Sequence, residues 1–513
     1  MSAFDGTAPL EGDFATTLDV FDAVLATVPD AEAFVDGDER ITFAEWAARA
    51  DGVAAHLADL GVGRGDVVCF QLASSIDYAV AYQAAMRLGA IASGVNPRLG
   101  QAEVASIITR AEPKVVVRDR ALTDAAMIPT GPWQVIDRQA VRDASPGDPL
   151  ARRADIEPTD TVAIVWTSGT TGVPKGAVFD HECLRAMADN AGVISAPSDR
   201  RISPLPFAHV GSMTRVWDEL VNVICTLVTP SPWNAGQTLK LMETERATVG
   251  QGVPTMWTLM LAHPDLATTD LSSLRIAGTG AARVPPELVR DMQAKLGCPV
   301  VVRYASTEAS LATGTGIDDD VETVANTVGR PPKGIELRIC DEEATELATG
   351  EVGTVWLRSR ATMRGYWRDP ENTAASITPD GWLVTGDLGW VGDDGCLRLV
   401  GRHAEMYIRG GYNVYPGEVE NTLGEHPAIA SSAVLGGTVP VLGEIGVAFV
   451  VPEAGVEEPT LDDVRTFVRE RLADYKAPDV LVVMESLPLT SMGKVDKQVL
   501  RPQAEAAASN WRR

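Results

Sequence analysis

The sequence has few features of a secreted, membrane or nucleic-acid-binding protein. Its six cysteines stand singly with no CxxC pair, which argues against a zinc site and fits a reducing compartment. Lysine and arginine number 44 against 70 acidic residues, and a formal charge of −26 disfavours polyanionic partners. The longest nearly apolar run, residues 220–228, is too short for a span of about 20 residues. We expect a cytoplasmic protein with no membrane or nucleic-acid partner.

The chain of 513 residues exceeds one ordinary hydrophobic core, so two or more domains are expected. Thr42 and Glu45 form a capping-box pattern that predicts the start of a helix. A buried strand is predicted over residues 66–72, and a further helix from about Ile76 to Leu88. Strands and helices that alternate in this way predict an α/β fold with parallel sheets.

The pattern changes at about residue 327 to short β-like segments separated by Gly, Pro and Asp turns. We interpret this part as a β-barrel-like subdomain. After Arg402 a smaller α+β unit follows, with a capped helix predicted from Thr460. The sequence therefore predicts a large N-terminal domain, residues 1–402, and a small C-terminal domain, residues 403–513.

A run of hydroxyl-bearing, glycine and basic residues directly follows the apolar segment 161–166. Its members are Thr167, Ser168, Gly169, Thr170, Thr171, Gly172, Val173, Pro174, Lys175 and Gly176. Glycines let backbone N–H groups approach an anion, hydroxyls add donors and Lys175 adds positive charge, so the run predicts a phosphate-binding loop. Pro174 and Gly176 break the Walker A spacing, and a flexible surface loop is the alternative.

This run resembles the phosphate loop of the adenylate-forming superfamily: acyl-CoA synthetases, luciferases and the adenylation domains of peptide synthetases. Segments 303–308, 381–387, 401–420 and 487–497 resemble four further motifs of that superfamily, in the same order. The resemblance covers nearly the whole chain. It implies that the small C-terminal domain is mobile and turns about a hinge near Glu405.

The resemblance also assigns residues to the nucleotide. It implies that Tyr304 lies against adenine, that Thr307 touches phosphate and that Asp387 binds the ribose hydroxyls. Glu308 is implied as a catalytic residue and the Mg²⁺ ligand, which suits a carboxylate close to phosphates because a hard cation can lie between them.

Three further segments complete the expected site. The resemblance implies that Arg402 contacts ribose or phosphate, and that Gly410 and Gly411 line a tunnel for the pantetheine arm of CoA. Lys494 is implied as the catalytic lysine that bridges the acid carboxylate and the α-phosphate. A mobile point charge suits negative charge that moves between these groups.

The sequence segments assigned to the acyl side of the site are less specific. The resemblance places His209 at the wall of the acyl pocket, where amino-acid-activating relatives carry an aspartate, so an amino acid substrate is disfavoured. Gly280, Ala281 and Ala282 belong to a segment that resembles the adenine and acyl wall. Arg283 stands where a dinucleotide fingerprint needs its third glycine, so NAD binding is not expected.

The sequence therefore predicts an AMP-forming acid–CoA ligase that uses ATP, Mg²⁺ and CoA. Gly211, Gly278 and Gly280 leave room for a bulky or ring-containing carboxylate, beside apolar wall from Met213 and Trp257. Two alternatives stay open: a ligase that thioesterifies only preformed acyl-adenylate, and a stand-alone adenylation enzyme that loads a carrier protein. A homo-oligomer is compatible with the sequence.

Departures from the superfamily pattern motivate the first alternative. Ala305 stands where glycine is usual, and Ala404 and Glu405 stand where the hinge usually has lysine and aspartate. Arg303, beside Tyr304, is larger and more charged than the common residues there, and either faces a polar group on the acid or turns outward.

Overall fold

The computed structural model describes residues 8–122, 128–147, 155–167, 173–409, 412–440, 442–490 and 493–511. The strands are β1 (Glu32–Asp36), β2 (Glu39–Thr42), β3 (Val67–Gln71), β4 (Ile91–Gly94), β5 (Val115–Arg118), β6 (Gln134–Asp137), β7 (Thr161–Thr167), β8 (Lys175–Asp180), β9 (Arg200–Ser203), β10 (Cys225–Val228), β11 (Val249–Gly252), β12 (Ile276–Gly280), β13 (Val300–Ser306), β14 (Ser310–Gly314), β15 (Ile335–Cys340), β16 (Gly353–Ser359), β17 (Leu383–Val391), β18 (Leu397–Arg402), β19 (Tyr407–Arg409), β20 (Tyr412–Val414), β21 (Ile429–Val439), β22 (Gly443–Pro452) and β23 (Val480–Val483).

The helices are α1 (Thr17–Thr27), α2 (Phe43–Asp59), α3 (Ile76–Arg87), α4 (Gln101–Ala111), α5 (Arg138–Asp143), α6 (His181–Asp189), α7 (Val210–Met213), α8 (Val216–Val221), α9 (Ala235–Thr244), α10 (Pro254–Leu261), α11 (Pro286–Leu296), α12 (Val321–Asn326), α13 (Pro370–Ser376), α14 (Pro416–Gly424), α15 (Leu461–Arg469) and α16 (Lys497–Ser509).

Two sheets form the centre of the large N-terminal part. One has the strand order β14-β13-β12-β11-β9-β10-β1-β2 and is parallel except at its two edges, β13–β14 and β1–β2. The other has the order β6-β5-β3-β4-β7-β8 and is parallel except for the β7–β8 pair. Helices cover these sheets, and a large apolar core spans both. The predicted α/β fold with parallel sheets is confirmed.

Local sequence patterns predicted several of these helices and strands, among them the start of α2. The Thr42 hydroxyl accepts from the Glu45 N–H at 3.2 Å, and the Glu45 carboxylate accepts from the Thr42 N–H at 2.8 Å. This capping box begins α2, whose Trp46, Val53 and Leu57 are buried, as their helical spacing predicts.

The part predicted to be barrel-like contains a four-stranded antiparallel sheet. Its strand order is β15-β16-β17-β18, without a pairing between the two outer strands among the described residues. The short β-like segments of the sequence are therefore strands, arranged as an open sheet. Strand β17 carries Asp387 towards the N-terminal sheets, and β18 ends at Arg402.

The last part of the chain is a smaller α+β unit. Its sheet has the order β20-β19-β22-β21, with β23 parallel to β22. Helices α14 and α15 pack on one face through Val419 and Val464, and α16 packs on the other through Leu500 and Ala504. An alanine at Gly437 would place its Cβ 2.5 Å from that of Ala508, so glycine permits the close approach of α16.

All six cysteines are buried and free. Within the part of the chain that the structure describes, no helix combines the length and the apolar character needed to cross a membrane.

Candidate active site

A buried carboxylate lies where β17 passes the end of β13. Asp387 is 5% exposed, and its two oxygens accept hydrogen bonds from the Tyr304 hydroxyl and, at 2.8 Å, from Arg402 Nε. Burial and the adjacent Asp387 raise the pKa of Tyr304, so the phenol stays a neutral donor. Asp387 also raises the pKa of Arg402. The structure thus brings together three residues that the sequence assigned to the nucleotide.

Lys494, which the C-terminal unit carries, lies in the same cleft. Its backbone is held in a turn, since the Thr490 N–H donates to the Lys494 carbonyl at 2.7 Å. Desolvation and the positive charge of Arg402 lower the pKa of Lys494, although Asp387 acts in the opposite direction. The ammonium group therefore faces the predicted nucleotide residues across the boundary between the two parts of the chain.

His209 faces the same space from the N-terminal side. It directly precedes α7, and its Nε2 lies 3.1 Å from Nδ2 of Asn96, a residue that sequence reasoning missed. Burial and the charge of Lys494 lower the pKa of His209 to about 4. The imidazole is neutral at physiological pH.

Tyr366 joins two predicted residues and was itself missed from the sequence. Its hydroxyl donates to Glu308 Oε1 at 2.8 Å, and the Lys175 ammonium lies 4.9 Å from the centre of its ring. Thr307 and Glu308 lie in the turn between β13 and β14. Gly365, directly before Tyr366, has a φ of +144°, a conformation that favours glycine. The glycine next to an aromatic residue was the local feature of the sequence that pointed to this position.

The predicted phosphate loop connects β7 to β8, an antiparallel pair in which Thr167 faces Lys175. Thr167 Oγ1 is buried and has no hydrogen-bond partner among the described residues. Outside the described residues lie Ser168, Gly169, Thr170, Thr171, Gly172, Gly410 and Gly411. The loop and the predicted pantetheine tunnel therefore remain predictions.

The predicted wall segment begins at the last residue of β12, Gly280. A Cβ at Gly280 would lie 2.2 Å from the Arg303 carbonyl oxygen, so only glycine fits beside β13. Ala281 has a φ of +62°, a conformation that non-glycine residues rarely adopt, and Ala282 follows it. Thr279 Oγ1 is buried without a partner in the described part of the chain.

A polar network connects the N-terminal part, the hinge segment and the C-terminal unit. Arg283 donates to the Gly417 carbonyl and lies 3.8 Å from Glu420. Lys497 pairs with Glu405 at 2.7 Å and with Glu420 at 2.9 Å. We call Arg283, Glu405, Glu420 and Lys497 the hinge clamp. Glu405, predicted as the hinge position, is therefore an ion-pair partner in this orientation.

The residues present fit a magnesium nucleotide. The unpartnered hydroxyls of Thr167 and Thr279 need a polar ligand, because burying a hydroxyl without a hydrogen bond is unfavourable. One carboxylate oxygen of Glu308 accepts the hydrogen bond from Tyr366, and the other is available to a cation. The described residues hold no cluster of three His, Cys, Asp or Glu side chains that would bind a metal alone. Mg²⁺ commonly binds through one or two carboxylates plus substrate phosphates.

Two family models match the chain. Residues 21–367 match the AMP-binding enzyme family, and residues 418–494 match the C-terminal domain of AMP-binding enzymes. Together they contain most of the site residues described above.

Proteins of similar sequence are named as acid–CoA ligases, and a solved structure of similar sequence has the same fold. The chain is 35% identical to 3-[(3aS,4S,7aS)-7a-methyl-1,5-dioxo-octahydro-1H-inden-4-yl]propanoyl:CoA ligase of Rhodococcus jostii, over 92% of this chain and 95% of that protein. It is 33% identical to indoleacetate–CoA ligase of Aromatoleum aromaticum, over 90% of this chain and 92% of that protein. The structure matches ATP-bound MatB from Rhodopseudomonas palustris with a TM-score of 0.86 and 31% identity, covering 95% of this chain and 99% of that one.

These similarities extend over nearly the full length, and they confirm the predicted fold class, enzyme class and use of ATP, Mg²⁺ and CoA. The chain belongs to the AMP-binding enzyme family, as an acid–CoA ligase of the adenylate-forming superfamily.

Proposed function

We propose that this ligase activates a bulky, ring-containing carboxylic acid and that Lys494, Asp387, Arg402 and His209 surround the reacting groups. The observation that carries this assignment is the position of Lys494, whose charge acts on both His209 and the Asp387–Arg402 pair. A lysine in that position can neutralise an acid carboxylate and an α-phosphate at once. The named relatives that act on ring-bearing acids support the substrate class.

In the first half-reaction, an oxygen of the substrate carboxylate attacks the α-phosphorus of ATP, and pyrophosphate leaves with the electron pair of the broken P–O bond. Lys494 stabilises the negative charge that develops on the phosphoryl oxygens. Asp387 and Arg402 orient the ribose, and Tyr304 lies against the adenine. Glu308 would hold Mg²⁺, which supplies charge neutralisation to the phosphates when bound.

In the second half-reaction, the sulfur of CoA attacks the acyl carbonyl, AMP leaves and the thiol proton is released. AMP is a far better leaving group than the oxide of a free carboxylate. Residues 403–513 turn about the hinge near Glu405, withdraw Lys494 and bring the segment with Gly410 and Gly411 to the site. We therefore propose a domain boundary between residues 402 and 403.

The test is mass spectrometry of products formed from Mg-ATP, CoA and a panel of aliphatic, aromatic and polycyclic acids. Wild-type enzyme should form acyl-CoA from ring-bearing acids, and Lys494→Ala should slow acyl-adenylate formation about 10²- to 10³-fold. Lys295→Ala, which removes an exposed lysine on α11 paired with Asp291, is the matched control and should behave as wild type.

Supplying synthetic acyl-adenylate separates the alternatives. Robust CoA transfer without any adenylation would support the thioesterification-only enzyme. Adenylation followed by transfer to a carrier-protein thiol, with no acyl-CoA, would support the adenylation enzyme. Equal activities of Lys494→Ala and wild type in the first half-reaction would refute the role given to Lys494.

A further inference from the structure

A group of buried charges lies between the eight-stranded sheet and the α7–α8 segment. We call it the arginine cluster: Arg201, Arg215, Arg303, Asp218 and Glu219. Arg201 on β9 pairs with Asp218 on α8 at 3.1 Å, and these side chains are 2% and 1% exposed. The cluster contains three guanidinium groups and two carboxyl groups, so its positive charge exceeds its negative charge even with both carboxyls ionised.

The Asp218 carboxylate already accepts three hydrogen bonds from protein groups. It accepts from Arg201 at 3.1 Å, from the Ser195 hydroxyl at 2.8 Å and from Asn222 Nδ2 at 3.0 Å. Burial raises the pKa of Glu219, which reduces the negative charge available from that carboxyl. Neither carboxyl forms an ion pair with Arg215 or Arg303 among the described contacts.

Arg215 is the least satisfied member. The residue is 8% exposed, and its guanidinium makes no hydrogen bond or ion pair to any described residue. Its Nη1 is fully buried without a partner. Burial and the charge of Arg201 lower the pKa of Arg215 to about 10, against the opposing effect of Asp218 and Glu219, so it still carries a proton at neutral pH. A buried N–H donor without a hydrogen-bond acceptor is costly unless a ligand supplies one.

Arg303 lies beside it with one spare N–H donor, at Nε. One terminal nitrogen donates to the Ala191 carbonyl at 2.9 Å, but Nε is buried and unpartnered within the described structure. Burial and repulsion from Arg215 lower the pKa of Arg303 to about 9. Gly314 leaves room for this side chain, since a Cβ there would lie 2.8 Å from Arg303 Cδ. The side chain turns inward, which decides between the two orientations left open by the sequence.

Two chain segments connect the reacting centre with these arginines. Arg303 on β13 pairs in register with Gly280 on β12, and residues in register on neighbouring strands share a face of the sheet. Arg215 follows His209 by one short helix, α7. Arg303 therefore lies on the sheet face that carries Gly280 of the predicted acyl wall, and Arg215 is one short helix away from His209 of the same wall.

We propose that Arg215 and Arg303 recognise a second oxygen acceptor on the acid, a ring ketone or a second carboxylate, at the end remote from the reacting carboxyl. This inference rests on the proposed function and specifies its substrate class. The oxygen would accept hydrogen bonds from the free N–H donors, and a carboxylate would in addition offset the excess positive charge of the cluster. A site built to hydrogen-bond a group discriminates strongly against an analogue that lacks the group.

The test uses three acids that share one ring and chain: 3-(4-oxocyclohexyl)propanoate, 4-(2-carboxyethyl)cyclohexanecarboxylate and 3-cyclohexylpropanoate. Wild-type enzyme should prefer at least one oxygenated acid over 3-cyclohexylpropanoate by about 10- to 100-fold in kcat/KM. Arg215→Met and Arg303→Met, which keep much of the side-chain volume, should reduce this preference towards one. The oxygenated acid that wins identifies the acceptor as ketone or carboxylate.

Ligand-induced shifts of melting temperature with the same acids provide a readout independent of turnover. Arg358→Met, an exposed arginine paired with Glu336 in the four-stranded sheet, is the control and should retain the wild-type preference. Equal binding of all three acids by wild type would overturn the inference, as would equal losses for all three acids in both variants. A binding preference that persists without acyl-CoA formation would uphold the inference while the proposed reaction fails.

Discussion

His209 is a neutral side chain next to a cation. Its imidazole lies close to Asn96 and in the field of Lys494, and both burial and that field oppose its protonation. A charged His209 would add a second positive charge where the substrate carboxylate meets Lys494. The neutral form leaves Lys494 as the cation that meets the incoming acid at this point, and His209 acts as a polar wall.

This environment predicts a pH dependence of stability. The pKa of His209 is about 4 in the folded protein against 6.5 for an ordinary histidine. Between these values the unfolded chain binds a proton that the folded protein does not, so stability falls as pH falls from about 6.5 to about 4. His209→Gln should lose about 1–2 kcal/mol less stability than wild type between pH 7 and pH 5. Urea unfolding at both pH values measures this, and identical losses would contradict it.

At the scale of elements, Lys494 is carried by a short hydrogen-bonded turn. Leu489 and Val495 form an isolated antiparallel bridge, and the Lys494 N–H donates to Thr490 Oγ1 at 3.3 Å. Gly493 has a φ of +74° and its carbonyl accepts from Thr255 of the N-terminal part at 3.4 Å. These hydrogen bonds fix the position of the Lys494 backbone and join the turn to α10.

Gly493→Ala should weaken adenylation more than thioesterification. A side chain at positive φ strains the turn by about 1 kcal/mol or more, which corresponds to roughly a five- to tenfold loss of the correctly placed lysine. Single-turnover rates of pyrophosphate formation and of CoA transfer from supplied acyl-adenylate measure the two steps. Gly350→Ala, at a φ of +87° with open space around it in the connection between β15 and β16, carries a similar backbone penalty and should leave both rates unchanged.

Elements with local signals were predictable from the sequence. Thr460 caps α15 through Asp463, as Thr42 caps α2, because a capping box is complete within four residues. The pairing of strands β15 to β18 depends on contacts between distant segments, so short β-like segments did not determine whether the sheet closes. Tyr366 was missed because its partners Lys175 and Glu308 are far away in the chain, and no periodicity records such a contact.

At the scale of the whole molecule, the hinge clamp favours the orientation that places Lys494 in the cleft. Burial alone would lower the pKa of Lys497, but Glu420 and Glu405 reverse this and raise it, which shows how strongly the pairs favour the charged form. Arg283 extends the network to the N-terminal part. Rotation of the C-terminal unit has to break the contacts of Arg283 with Gly417 and Glu420, which join the two parts of the chain.

Arg283→Gln, which removes the side chain that joins the N-terminal part to the C-terminal unit, should therefore shift the enzyme away from the adenylating orientation. A half-buried network contributes about 1 kcal/mol, so adenylation should slow about fivefold while CoA transfer from supplied acyl-adenylate keeps or increases its rate. Separate single-turnover measurements of the two half-reactions check this. Lys476→Gln removes an ion pair with Glu418 within the same unit, 2.6 Å in length, and is the matched control. Equal slowing of both steps by Arg283→Gln would argue against a clamp.

The distribution of cysteines makes the rotation itself observable. All six precede residue 397 and are buried, and the chain from 403 to 513 contains none. One cysteine introduced on the outer surface of α15 would therefore be the one accessible thiol of the folded protein. A fluorophore attached there would report the rotation of the C-terminal unit in real time, without the removal of any native cysteine.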